Sequence, residues 1–248
     1  MTNWKASLIH LGISAPLVLA ATLAMALVWF PSPFFQASGG GHLILILASV
    51  DLIIGPFLTL LVYKPGKRHL KLDLTIIGLI QISAMLYGAY TIFLARPAYV
   101  VFAVNQFEVV TAADIPAEEQ QKANSPEFLH SPLGRFRVVS VRPPADIEEQ
   151  NRILFAAIVG HDLSHFPQHY VPYESQGGNV AARGIPIPEL RRLNPGREQE
   201  IADWVAKFAD SEADVRYVPV RALKRDVAAL VRSESGELLD FAAFIPWE

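Results

Sequence analysis

Cysteine is absent from the 248 residues, so no disulfide can staple any part of the chain, even in an oxidising compartment. Charge is scarce as well. Asp, Glu, Lys and Arg make up 18% of the sequence against 52% hydrophobic residues, and only 5 of the 21 basic and 2 of the 24 acidic groups precede Ala95. No basic tract is present: from Ala95 onward 16 Lys and Arg face 22 Asp and Glu, a formal charge of −6. That balance gives no support for nucleic-acid binding. There is no internal repeat and no low-complexity tract. Gly177-Gly178 and Gly184 do not make a phosphate loop, because both the lysine and the following helix that such a loop needs are expected to be missing.

What the chain has in excess is apolar sequence, placed almost entirely before Arg96. About 20 apolar residues in a helix cross a hydrocarbon core of roughly 30 Å, and residues 8–30, 43–63 and 74–94 reach that length. The expected class is a membrane protein with three N-terminal transmembrane helices in residues 1–95, followed by an extracytoplasmic α+β domain with antiparallel strands in 96–248. The first segment also admits a cleaved signal peptide, since Ala24-Met25-Ala26 has the small-x-small form. Its run continues, however, through Leu27-Val28-Trp29-Phe30 into a cluster with Phe34 and Phe35 that reads as an interfacial aromatic belt. Residues 36–41, QASGGG, read as a flexible loop between spans.

Loop charge sets the orientation. Lys64, Lys67, Arg68 and Lys71 fill the loop between the second and third spans, whereas PSPFFQASGGGH has no Lys or Arg. The basic loop and the N-terminus with Lys5 are expected in the cytoplasm, with the C-terminal domain outside, in the periplasm of a bacterial inner membrane.

In that domain, AYVVFAVNQFEVV reads as one long or two short strands, 113–123 as a short polar helix, SPEFLHSPLG as a loop and 135–141 as a strand. Asp146 followed by Glu149 predicts a helix running to Gly160, with Ile147, Ile153, Leu154, Ala157 and Ile158 at helical spacing. Ile201, Trp204, Val205 and Phe208 predict another over 196–210, with Trp204 in the core. VRYVPVRAL is a strand, and the chain closes in two strands around Ser233-Glu234-Ser235-Gly236. At about 150 residues the domain can bury its own core.

Catalytic chemistry has little foothold. His161, His165 and His169 recur every four residues, and HDLSH resembles a zincin helix with Asp in place of Glu. Pro167 interrupts that helix, though, and no spacing marks a third ligand. Ser164 and Ser175 lack a nucleophile elbow. The adjacent pairs Glu118-Glu119 and Glu148-Glu149 point apart on a helix, as solvated faces do. No catalytic residue, metal site or cofactor is assigned.

Asp51, inside SVDLIIGPFLTL, is the most unusual residue. An ionised carboxylate in a span costs on the order of 3 kcal/mol and faces protein or a watery cavity. Counted at about 1.5 Å per residue from Leu43, it lies roughly 12 Å below the outer surface, level with Thr22 and Tyr87, its expected hydrogen-bond partners in a polar cluster. Pro56, five residues on, should loosen the helix around 50–52. Gly55 and Gly88 permit close helix approach. A clasp between the three helices, a docking point for another protein's span and a proton or ion path all remain open readings of Asp51.

WKASLIHLGIS at 4–14, VDLIIGPFLTLLVYKPGK at 50–67, LKLDL at 70–74 and LYGAYTIFLARPAYVVFAVNQFEVV at 86–110 together resemble the type IV pilin accessory protein family. The resemblance covers about the first 110 residues closely and the rest more loosely. It implies a non-enzymatic role in which the protein helps its cognate type IV major pilin into the pilus from the inner membrane, with inner-membrane proteins of the pilus machine as further partners. The other class open to the sequence is a membrane-anchored enzyme or sensor of the cell envelope, resting on His161 and His165.

Overall fold

The computed structural model describes residues 2–248. Helices Asn3–Val28, Gly40–Val62 and Leu70–Ala95 are each long and apolar enough to cross a membrane. Helix α1 (Asn3–Val28) begins five residues ahead of its apolar run, where the Thr2 side chain accepts the Lys5 amide. A short helix α2 (Phe34–Ala37) follows. The second long helix is built from α3 (Gly40–Ser49), a π-helical turn at Val50–Ile54 and α4 (Gly55–Val62). The cause is local: Pro56 has no N–H for the carbonyl of Leu52, and the Gly55 amide bonds back to Val50, one residue further than in an α-helix. Helix α5 (Leu70–Ala95) is the third. Between α1 and α4, Ser7 Oγ donates to the Pro56 carbonyl at 2.8 Å, and His10 Nδ1 lies 2.5 Å from Thr59 Oγ1. The Ala24-Met25-Ala26 sequence lies inside α1, where Met25 is buried.

Contacts divide the described chain into two units, 2–29 with 39–94, and 30–38 with 95–248. The loop between the first two long helices thus packs into the second unit. The sequence reading, which divides the chain at residue 95 and leaves 36–41 as a flexible loop, does not show this.

The second unit is built on a seven-stranded sheet: β1 (Pro97–Ala103), β2 (Gln106–Thr111), β3 (Arg137–Val141), β4 (Tyr170–Pro172), β5 (Val215–Arg221), β6 (Val227–Arg232) and β7 (Leu238–Ala242). Their order is β4-β3-β1-β2-β5-β6-β7. The expectation of antiparallel strands is corrected here, because β1 with β3 and β2 with β5 run parallel while the other pairs are antiparallel. Only tight hairpins enforce antiparallel neighbours. The β1–β2 and β6–β7 turns do so, but long connections return the chain beside β1 and β2 in the same sense. Those connections carry α6 (Ala117–Gln120), α7 (Ile147–Ile158), α8 (Gly177–Arg183), α9 (Ile187–Leu193) and α10 (Glu198–Ala206).

Alternating side chains separate the two faces of the sheet. One carries Val100, Phe102, Phe107, Val218, Val220, Val227, Ala229 and Val231 in a single cluster with Phe34 and Ala37. On the other face, Tyr217 and Leu230 pack with Ile187, Leu190, Ile201, Trp204 and Val205 of α9 and α10. Trp204 is in the core as its spacing predicts, with its indole N–H donating to Asp240 at 2.9 Å.

Phe34 has no exposed surface and stands edge-on to Phe136 at 4.8 Å and Phe241 at 5.0 Å, a favoured aromatic geometry. Three residues on, the Ala37 carbonyl accepts the amides of Lys224 at 2.8 Å and Arg225 at 3.3 Å. Phe30 is buried too. Of the four aromatics expected in an interfacial belt, Phe34 therefore completes the domain core, and Trp29 meets Phe93 of α5 at 5.2 Å. The side chain of Arg96, the residue before β1, is 1% exposed and donates twice to the Pro132 carbonyl, at 3.2 and 2.6 Å.

Helix α7 forms where its N-cap predicts, with Asp146 accepting the Glu149 amide at 3.0 Å. Its apolar face is a surprise: only Ile153 is buried, while Ile147, Leu154, Phe155 and Ile158 are exposed.

Replacing Phe34 with Ala should destabilise the sheet domain by about 3–5 kcal/mol, the range for truncating a buried aromatic. Residues 96–248 expressed without 30–38 should show the same loss in a thermal melt. A melt unchanged by either alteration would show that the loop is not part of the core.

Candidate functional site

Two groups of polar side chains are candidates, one in each unit. In the helical unit, Asp51 sits in the π-turn with a side chain that is 4% exposed and an Oδ2 that has no hydrogen-bond partner among the described residues. A cavity of about 410 Å³ is lined by Asp51, His10, Thr59 and Gln81 amid apolar residues of α1 and α5. Gln81 Nε2 lies 3.4 Å from the Asp51 carbonyl, and its amide occupies the space that a side chain at Gly55 would fill. A glycine is needed there for this close approach. Leu47 approaches Gly88 in the same way.

Thr22 and Tyr87 do not join this group. The Thr22 hydroxyl donates to the Leu19 carbonyl of its own helix, and Tyr87 is 73% exposed. The register explains the difference. His10 stands beside Thr59, and Asp51 is eight residues before Thr59, so an antiparallel α1 brings up Val18, eight after His10, rather than Thr22. His10 was the missed signal, a titratable side chain within an otherwise apolar run. In the loop after α4, Lys67 pairs with Asp73 at 2.7 Å, while Lys64, Arg68 and Lys71 are exposed.

In the domain, Glu108 of β2 meets a short turn at 162–165. Ser164 Oγ is 2.9 Å from Glu108 Oε2, 2.6 Å from Asp162 Oδ1 and 3.1 Å from His165 Nδ1. His165 Nδ1 is also 3.2 Å from Asp162 Oδ1. Asp162 caps the turn through the Ser164 amide at 2.9 Å. Burial first, then the adjoining Asp162, pushes the Glu108 carboxyl up to about 7. Burial opposes ionisation of Asp162 as well, but hydrogen bonds from His165 and Ser164 outweigh it and hold its pKa below the usual carboxylate range. Burial likewise opposes the charged His165, and Asp162 overcomes it, so that its pKa is raised.

This is not the geometry of a nucleophile. Ser164 is fully buried, and its hydroxyl is shared among two carboxyl groups and the same ring nitrogen that Asp162 approaches. The three histidines lie on separate turns, Leu163–His165 and Pro167–His169 with His161 before them, and His169 Nε2 bonds Glu149 at 3.0 Å. Among the described residues no group of three His, Cys, Asp or Glu is placed to hold a metal. Ser175 donates to the Pro172 carbonyl at 2.7 Å. The acidic pairs are not merely solvated: Arg152 bridges Glu119 at 3.2 Å and Glu149 at 2.7 Å, joining one member of each.

Three helices long and apolar enough to cross a membrane, followed by a mixed-sheet domain, define the class of protein. No protein-family model matches the chain, and no solved structure does. Curated relatives do match. Fimbrial assembly protein, serogroup I, of Dichelobacter nodosus is 32% identical over 221 residues, 87% of this chain and 85% of the relative. The serogroup E1 protein of the same organism is 29% identical over 219 residues with the same coverage. The protein of serogroups C1 and C2 is 37% identical over 123 residues, 48% of this chain and 92% of its own length. The chain belongs to this family of type IV fimbrial assembly proteins.

The Glu108 cluster predicts a pH dependence. Between its ordinary value near 4.5 and about 7, the folded domain holds a proton that the unfolded chain has released, so folding stability falls as pH rises across that window. With allowance for the group's partial exposure, the loss is about 1–2 kcal/mol. Thermal melts of the detergent-solubilised protein from pH 5 to 8 should show it, and Glu108→Gln should flatten the profile. A variant whose melting temperature follows the wild-type pH curve would remove Glu108 as the cause.

Proposed function

We propose that the protein acts in type IV fimbrial biogenesis by binding its cognate major pilin in the bacterial inner membrane and promoting its entry into the fibre, without catalysis. The observation that carries this reading is the 32% identity to a fimbrial assembly protein along 87% of the chain. In this reading the three long helices span the membrane, with the N-terminus and the loop of Lys64, Lys67, Arg68 and Lys71 in the cytoplasm and the sheet domain in the periplasm. The basic loop favours that orientation. The packing of residues 30–38 with the domain agrees with it, since two spans separate residue 38 from residue 95 and an even number of crossings returns the chain to the same side.

Two surfaces suit a pilin, which has one span and a globular head. The cavity of His10, Asp51, Thr59 and Gln81 is apolar along most of its wall and holds a carboxylate oxygen without a partner among the described residues. It suits an apolar helix that brings one hydrogen-bond donor. This moves the balance for Asp51 from an internal clasp toward a docking point, because the hydroxyls expected to clasp it bond or face elsewhere. The exposed face of α7, with Ile147, Leu154 and Phe155, suits the head.

Photo-crosslinkers placed on the second span and on α7 in native membranes should both capture the major pilin. Asp51→Leu should abolish capture from the span at unchanged protein level, and Asp51→Asn, which keeps an acceptor, should retain most of it. Capture of pilus-machine proteins alone would move the role to regulation of the machine. Capture of no pilus protein would return the chain to the envelope enzyme or sensor class.

A further inference from the structure

We infer that Arg221, the last residue of β5, and the loop Ala222-Leu223-Lys224-Arg225 that leads to β6 form a lipid-contact site that binds anionic head groups with its cations and sets Leu223 into the bilayer surface. The inference rests on the membrane topology proposed above and adds to it a second attachment, one made by a loop rather than by a span.

Four observations carry it. First, Leu223 is 73% exposed at the tip of a loop whose other residues are polar or small. Isolated exposed apolar residues are ordinary, but this one is flanked by three cations. Second, Arg221, Lys224 and Arg225 are exposed, and none of them makes an ion pair or a side-chain hydrogen bond among the described residues. The nearest acid in sequence does not neutralise them: Asp226 accepts the Ala222 amide at 2.9 Å with one oxygen and the Trp247 indole at 2.8 Å with the other. Those bonds also hold the loop in a fixed shape.

Third, the loop is tied to the chain at its crossing points. Ala37, whose carbonyl takes the amides of Lys224 and Arg225, is three residues before Gly40, the first residue of α3. Three residues extend to at most roughly 11 Å, which is comparable to the polar layer on one side of a bilayer plus a side chain's length. In the proposed topology that length of chain brings the two cations within reach of the head groups. Fourth, Arg221, Ala222 and Leu223 line one cavity of about 450 Å³ with Ser38 and Ala95. Ser38 is bonded to the first residue of the 39–94 segment and Ala95 to its last. A loop that touches both junctions lies where the chain passes from lipid to water.

The charge pattern decides the occupant. A cluster of cations beside a span is worth about fivefold in binding per residue at an anionic surface and is screened by salt, and an apolar side chain between them adds insertion. An acidic protein partner would satisfy the cations equally well but would not explain the backbone bonds to Ala37 at the foot of a span.

The cysteine-free chain makes the test direct. The full-length protein carrying Leu223→Cys would be labelled with an environment-sensitive fluorophore and placed in nanodiscs of phosphatidylcholine with and without phosphatidylglycerol. Glu234→Cys in the β6–β7 turn serves as the aqueous reference and Leu45→Cys on the second span as the lipid reference. The label at 223 should emit to the blue of the label at 234, with a larger shift when phosphatidylglycerol is present. That lipid-dependent increment should be lost in high salt and in the Arg221→Gln, Lys224→Gln, Arg225→Gln variant. Emission at 223 equal to that at 234 in both lipids overturns the inference, as does a shift that occurs only when purified pilin is added. If the label at 45 reads as aqueous, the spanning topology itself fails, which is a different result.

Discussion

Phe34 in its socket between Phe136 and Phe241 is the contact on which the rest of the molecule depends. It lies in a short loop between two long apolar helices, yet its partners come from the sheet domain. The chain between them contains the second and third long helices, so this one aromatic contact joins segments that lie on either side of those helices in the sequence. It also removes the freedom that a loop of Ser and Gly would otherwise have. With the ends of 30–38 held in the core and Ala37 bonded to the β5–β6 loop, the domain is attached to the helical unit through three peptide bonds, at 29–30, 38–39 and 94–95.

The two polar clusters illustrate different uses of burial. In the domain, every member of the Glu108, Asp162, Ser164 and His165 group has a partner, and the neighbouring carboxyl groups are pushed apart in pKa, Glu108 upward and Asp162 downward. Such a group is a structural knot that ties the turn at 162–165 to β2. Around Asp51 the polar atoms are fewer: His10 and Thr59 satisfy each other, Gln81 reaches only the Asp51 backbone, and one carboxylate oxygen has no donor among the described residues.

Much of the fold was legible in the residues. The three apolar runs, the β1–β2 pair, the Asp146 cap, the core side of α10 and the terminal hairpin all carry local signals, whether period, cap or turn residue, and all are present within a few positions. What was not legible depends on distant contacts. The parallel pairing of β1 with β3 has no local mark. Helices α8 and α9 are seven residues each, too short for a period to show. The aromatic cluster at 29–35 has the composition of a membrane belt, and only the presence of Phe136 and Phe241 opposite Phe34 makes it a core. The face of α7 failed in the opposite sense: its amphipathic pattern is real, but periodicity says which side is apolar and not what covers it. At Asp51, depth counted from assumed span boundaries erred by about one helical turn, which was enough to name Thr22 where the register brings Val18.

The socket for Phe34 also imposes a chronology. Phe241 is synthesised some two hundred residues after Phe34, roughly ten to forty seconds later at ordinary rates of translation. Throughout that interval an aromatic side chain destined for zero exposure is made without the two rings that enclose it. The last strand in the chain completes a socket for a residue that precedes the second and third long helices.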